Sequence, residues 1–175
     1  MGWAQRQVEE ITDLAEAEAV AKQVVYDRLA ASARSRADLE QSLATKGVPA
    51  QVSADVLDRF EQAGLVDDAE FARSWVQQRQ AGKGLSSRAL AQELRRKGVD
   101  DEIAREALGD LDPDAEVQAA HLLVQRKLRS MSSLDDMVKT RRLVGMLARK
   151  GYAPGLAFQV VREELGAQAP PRESL

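Results

Sequence analysis

The chain has no cysteine, a single histidine, only 4% aromatic residues and no apolar run approaching the length of a membrane span. Each shortage excludes something. Without cysteine there are no disulfides and no thiolate metal sites, and a reducing compartment fits. With His121 alone, no histidine-based metal cluster or histidine dyad can be built. A spanning helix needs about 20 consecutive apolar residues, and residues 1–10 lack the apolar core of a signal peptide. Position 6 is Arg6, where a myristoylation signal beginning at Met1-Gly2 requires Ser or Thr. The expected localisation is cytoplasmic.

What is abundant is Ala, Leu, Arg, Glu and Gln, side chains that lose little rotamer freedom in a helix. The expectation is an all-α protein of 175 residues, read as one domain or one array of small units. The net charge of −3 conceals local excess. From Arg73 to Lys97 there are seven Lys/Arg against one acid, Glu93, and from His121 to Lys150 eight against two, Asp135 and Asp136. Basic patches on a mildly acidic chain point to a polyanion or an acidic protein surface, although solvated helix faces look the same in composition.

Three segments repeat one pattern. "LEQSLATKGVPAQVSADVL" (39–57), "LAQELRRKGVDDEIAREAL" (90–108) and "LVGMLARKGYAPGLAFQVV" (143–161) share leucines four apart, then Lys-Gly and a bulky apolar residue. Leucines at that spacing lie on one helix face. Lysine suits the negative helix end, and Gly47, Gly98 and Gly151 can take the left-handed conformation that stops the helix. A second helix is then expected to begin near Pro49 (at its first position), Asp100 or Asp101, and Ala153. A further helix precedes each pair, roughly 15–33, 67–81 and 113–129, the last capped by Asp112 with Pro113 at its start.

The expected architecture is three tandem three-helix repeats forming an elongated, curved array. The boundaries are a loose segment 1–14, repeats at 15–64, 65–111 and 112–165, and a loose tail 166–175.

"WVQQRQAGKGLSSR" (75–88) invites a nucleotide-loop reading that fails. A phosphate loop needs a glycine five residues before the Gly-Lys pair, where Gln77 stands, and Ser or Thr after the lysine, where Gly84 stands. A strand should precede it, but the pattern is helical. Gly82 and Gly84 are expected to end one helix and turn into the next, capped by Ser86 or Ser87. His121 reads as an ordinary packed or exposed histidine. The pairs Asp67-Asp68, Asp100-Asp101 and Asp135-Asp136 read as helix caps rather than acid–base or metal groups. No enzyme activity and no cofactor is expected.

The repeats differ in charge. On the helix 87–97, Arg88, Gln92, Arg95 and Arg96 fall opposite Leu90 and Leu94. The third repeat has Arg141, Gly145, Ala148 and Arg149 there, with Arg142 and Lys150 alongside, while the first has Ala37, Gln41, Ala44 and Thr45. Arg79, Lys83, Arg126, Lys127 and Arg129 are expected to flank these faces. Trp75 and Tyr152, the nearby aromatics, read as core, so the faces suit phosphate or carboxylate contact without base stacking. A helix-turn-helix reading of each pair is weakened by second helices that are acidic or apolar.

"GLVDDAEFARSWVQQRQAGKGLSSRALAQELRRKGV" (64–99) strongly resembles the signature of the RecX family, and "ARSRADLEQSLATKGV" (33–48) and "LARKGYAPGLAFQVV" (147–161) resemble its first and third repeats. The resemblance covers about residues 20–165. It implies a tandem three-helix architecture and a monomeric, non-enzymatic regulator. The implied partner is the RecA recombinase and its filament on DNA, whose ATPase, strand exchange and growth would be limited; direct contact with single- or double-stranded DNA is a further implied interaction. Ala44-Thr45 departs from relatives that carry basic residues there, and Met146 from a common aromatic. A sequence-independent DNA-binding protein acting without RecA is the alternative, and an inert helical scaffold is a third.

Overall fold

The structure is a computed structural model describing residues 9–109 and 111–168. All the secondary structure among these residues is helical: α1 (Leu14–Ala31), α2 (Arg36–Ala44), α3 (Ala50–Gln62), α4 (Asp68–Lys83), α5 (Ser87–Arg96), α6 (Asp101–Gly109), α7 (Pro113–Leu128), α8 (Asp136–Arg149) and α9 (Pro154–Gln168). The fold is an all-α repeat array.

The helix ends follow the capping chemistry of the sequence. Asp13, Ser35, Asp112 and Asp135 sit at N-caps, each accepting from a backbone N–H of the first turn. Asp67 accepts from Glu70 N at 2.9 Å, Asp100 from Glu102 N at 2.8 Å, and Ser86 from Ala89 N at 3.2 Å. All three aspartate pairs therefore serve helix starts. Gly47, Gly98 and Gly151 stop their helices with φ of 76°, 70° and 90°. Pro49 takes the extended cap position one residue before α3 rather than its first turn. Gly82 lies inside α4, and Gly84, with φ 59°, makes the turn. Helix α9 runs through Gln168 and so takes in residues 166–168, which were expected in the loose tail; residues 1–8 and 169–175 lie outside the described residues.

The described helices divide into two compact units, Met1–Ser74 with Leu94–Ala104, and Trp75–Glu93 with Arg105–Leu175. The divisions fall inside α4, α5 and α6.

In the first unit, α1, α2 and α3 enclose Ala21, Val25, Leu39, Leu43, Val56, Leu57 and Phe60. Each buried leucine stabilises by about 1.5–3 kcal/mol relative to exposure. Ile11 packs against this core, its N–H donating to the carbonyl of Gly47. Ser35, fully buried, caps α2 and donates its hydroxyl to the carbonyl of Lys97 at 2.6 Å. Lys97 pairs with Asp38 at 3.0 Å, and a Cβ on Gly98 would stand 2.3 Å from that of Ala37.

The second unit repeats the joint. Its core is Ala120, Val124, Leu128, Met131, Leu143, Leu147, Tyr152, Ala157, Val160 and Val161, from α7, α8, α9 and the turns that join them. Ser86 N donates to the carbonyl of Lys150 at 3.1 Å, and a Cβ on Gly151 would meet Ser86 Oγ at 2.5 Å and Ala89 Cβ at 2.7 Å. The Tyr152 hydroxyl donates to the carbonyl of Gly84 at 3.0 Å. The Lys-Gly turn is therefore more than a helix stop: it seats against a serine that caps an earlier helix.

Candidate partner-binding surface

The basic residues separate into those held by internal partners and those left open. In the first unit, Arg95 reaches Asp101 at 3.1 Å, whereas Arg96 is exposed with no ion pair among the described residues. In the second unit, the Arg79 guanidinium lies 4.3 Å over the Trp75 ring and 3.4 Å from Glu93. Trp75 Nε1 donates to the same Glu93 carboxylate at 2.9 Å. Arg79 thus braces a half-buried tryptophan, and its charge is largely spent there.

Two clefts of the second unit gather most of the others. One, of about 650 Å³, is lined by Lys127 from the last turn of α7, Ser130, Met131, and Arg141, Arg142, Met146 and Arg149 of α8. No carboxylate lines it, and none of its four cations has an ion pair among the described residues. The basic residue of α8 outside this cleft, Lys139, is neutralised by Asp136 at 3.1 Å. Like charges held together without counter-charges repel one another and favour an incoming anion.

The second cleft, of about 560 Å³, lies beside the end of α4 and α7. Lys83, Arg126 and Lys150 line it with Gln77, Gln80 and Gln118 over an apolar floor of Ala115, Ala119, Leu122 and Leu123. Lys150 Nζ donates to the Lys83 carbonyl, which fixes that ammonium at the cleft edge. Adjacent residues divide between the two clefts: Arg126 and Lys150 serve this one, Lys127 and Arg149 the other. Arg88 and Arg129 are exposed and line neither.

His121 ties α7 to α9. Its Nδ1 is 2.7 Å from Glu164 Oε1, which also accepts from Gln125, and its Nε2 is 3.4 Å from Glu163. Among the described residues no cluster of His, Asp or Glu is arranged to hold a metal ion, and no helix is long and apolar enough to cross a membrane.

Sequence reasoning missed the Trp75–Arg79–Glu93 brace and the serine joints. For the joints a signal was present, since Ser35 and Ser86 stand at the same distance before Leu39 and Leu90, just outside the aligned segments.

Comparison with known proteins places this architecture. Residues 21–60, 67–108 and 114–161 match the first, second and third three-helix domains of RecX. The chain is 48% identical over 145 residues to the "Regulatory protein RecX" of Amycolatopsis mediterranei, with 83% of each chain covered. It is 52% identical over 150 residues to that of Mycolicibacterium smegmatis, covering 83% of this chain and 79% of the relative. The crystal structure of RecX from Lactobacillus salivarius shares the fold, with a TM-score of 0.76 at 19% identity over 86% of this chain and 97% of that one. With all three helical domains matched in order and relatives near half identity, the chain belongs to the RecX family of regulatory proteins.

Proposed function

We propose that this protein is a non-enzymatic, cytoplasmic and monomeric modulator, mainly an inhibitor, of the RecA recombinase. It binds RecA or its nucleoprotein filament through basic surfaces and limits filament growth, ATP hydrolysis and strand exchange. The observation that carries the reading is the carboxylate-free cleft of Lys127, Arg141, Arg142 and Arg149 on a chain whose net charge is negative. Arg96 adds an open cation in the first unit, and Lys83, Arg126 and Lys150 a second group in the other. Arg88 and Arg129 are lesser contributors, and Arg79 and Arg95 act through the internal pairs that hold them.

The test is a titration of the DNA-dependent ATPase of RecA with the full chain, wild type against Arg141→Glu/Arg142→Glu. Loss of inhibition with unchanged helicity supports the cleft as the contact; undiminished inhibition by the folded variant overturns it. Inhibition at ratios far below one per RecA indicates blocking of filament ends, and inhibition only near equivalence indicates binding along the filament.

A sequence-independent DNA-binding protein acting without RecA is the second reading, favoured by the same cations with no carboxylate among them. Tight binding of DNA alone, with affinity falling steeply as salt rises, distinguishes it, because the slope counts the phosphates contacted.

A further inference from the structure

The α8–α9 face of the second unit carries an apolar surface that its core does not absorb. Met137, at the start of α8, is 85% exposed, and Phe158, in the first turns of α9, is 56% exposed. They line one groove of about 610 Å³ with Asp136, Thr140, Arg141, Val144 and Gly145. A neighbouring groove continues from Thr140 and Phe158 along α9, past Gly155, Gln159 and Arg162 to Leu165. Those α9 positions, three or four apart, form one helix face.

Charge and polarity choose the occupant. Arg141 and Arg162 border the grooves and have no ion pair among the described residues. The acid on the rim, Asp136, is already neutralised by Lys139. Arg141 also lines the cation cleft, so apolar groove and cation cluster adjoin at one side chain. A nucleic-acid base would press its polar edges against an apolar floor, the charged groups lying only at the rim, on Asp136 and Arg141. The Thr140 hydroxyl is committed to the Asp136 carbonyl at 2.7 Å, and Met137, Val144, Gly145 and Phe158 offer no side-chain hydrogen bond.

We propose that this face is a docking groove for an acidic amphipathic peptide segment of a partner protein. A bulky aliphatic or aromatic side chain of that segment seats between Met137 and Phe158. Its carboxylates, about one helical turn away, meet Arg141 and Arg162. A flexible thioether beside an aromatic ring adapts to anchors of different shape, while the arginines fix orientation through charge-assisted hydrogen bonds. The proposal stands apart from RecA modulation, since it concerns any partner presenting this chemistry.

The experiment uses the full chain and a fluorescein-labelled ten-residue peptide in which two leucines four apart are flanked by glutamates, read by fluorescence anisotropy. A control peptide replaces both leucines with serine, and a labelled ten-nucleotide dT strand is the third probe. The leucine peptide should bind, the serine peptide roughly tenfold or more weaker, and Phe158→Ser should weaken the leucine peptide by a similar factor. Phe158→Ser should leave dT binding unchanged. Because Phe158 is exposed, the substitution should preserve helicity, and Met137→Ser provides an independent variant. No binding of the leucine peptide, or equal binding of both peptides, overturns the proposal. So does a loss of dT binding on Phe158→Ser matching that of the peptide, which would make the groove a nucleic-acid surface. None of these outcomes depends on RecA.

Discussion

The hydroxyl of Ser35 donates to the carbonyl of Lys97 across 62 residues of chain, at 2.6 Å and fully out of solvent. The same oxygen caps α2, accepting from Asp38 N. One small polar side chain therefore satisfies a helix start and binds a distant turn, and its loss would remove a hydrogen bond from each.

Ser35→Ala is expected to destabilise the protein by about 1–3 kcal/mol, the cost of a lost helix cap and of a lost hydrogen bond to the Lys97 carbonyl. Urea unfolding followed by circular dichroism measures it. An effect below about 0.5 kcal/mol would mean that the joint contributes nothing beyond ordinary surface substitution.

Gly98 and Gly64 share a positive φ, 70° and 71°, but only Gly98 has a neighbour that a Cβ would strike. Gly64→Ala should cost about 1–2 kcal/mol, the backbone term alone. Gly98→Ala should cost more, by an overpacking term of about 1–3 kcal/mol against Ala37. Equal losses in the two variants would show that the Lys97-Gly98 turn yields freely.

Burial pushes the Tyr152 phenol up from its ordinary value to about 12. The folded state therefore holds that proton more tightly than the unfolded chain does. Its contribution to stability is fully present below about pH 10, and is lost as pH rises through the folded value of about 12. Wild type and Tyr152→Phe should thus differ most at neutral pH, where the variant lacks the hydrogen bond to Gly84. The gap should narrow above pH 10 in denaturant titrations. A gap that is constant up to pH 12 would count against the buried phenol.

Arg149→Glu should weaken inhibition of RecA, because it reverses one of four cations in a cleft without acids. Arg59→Glu, which breaks an exposed pair with Glu18, should not. The Arg149 effect should shrink at high salt as screening removes the contribution of exposed charge. Matching losses in the two variants would reduce the cleft to general net charge.

Much of the fold is written in local pattern. Leu39, Leu43, Leu90, Leu94, Leu143 and Leu147, chosen for helical spacing, are all essentially inaccessible to solvent, and Val48, Val99 and Tyr152 tuck in after their glycines. Asp112 and Asp135 cap where short-range chemistry places them. Less legible were features that depend on neighbours distant in sequence. That Arg79 is taken by Trp75 and Glu93 while Arg142 stays open cannot be read from helix-face geometry, because both are arginines on amphipathic helices. Arg126 and Lys127, adjacent in the sequence, enter different clefts because successive helical residues point about 100° apart. The exposure of Met137 and Phe158 is not legible either, because an apolar residue on a helical repeat reads as core.

The divisions between the compact units at Ser74/Trp75, Glu93/Leu94 and Ala104/Arg105 have a practical consequence for gene dissection. Neither unit is a contiguous stretch of polypeptide, so no single pair of cut points releases one intact. An expression fragment ended at Gly64, by the logic of the repeats, discards the Lys97 carbonyl that Ser35 requires. A chimaera that exchanges residues 65–111 alone imports one half of each of two joints, Lys97-Gly98 without its Ser35 and Ser86 without its Lys150-Gly151. Swaps between family members should therefore carry Ser35 with Lys97-Gly98, and Ser86 with Lys150-Gly151, as matched sets inherited together.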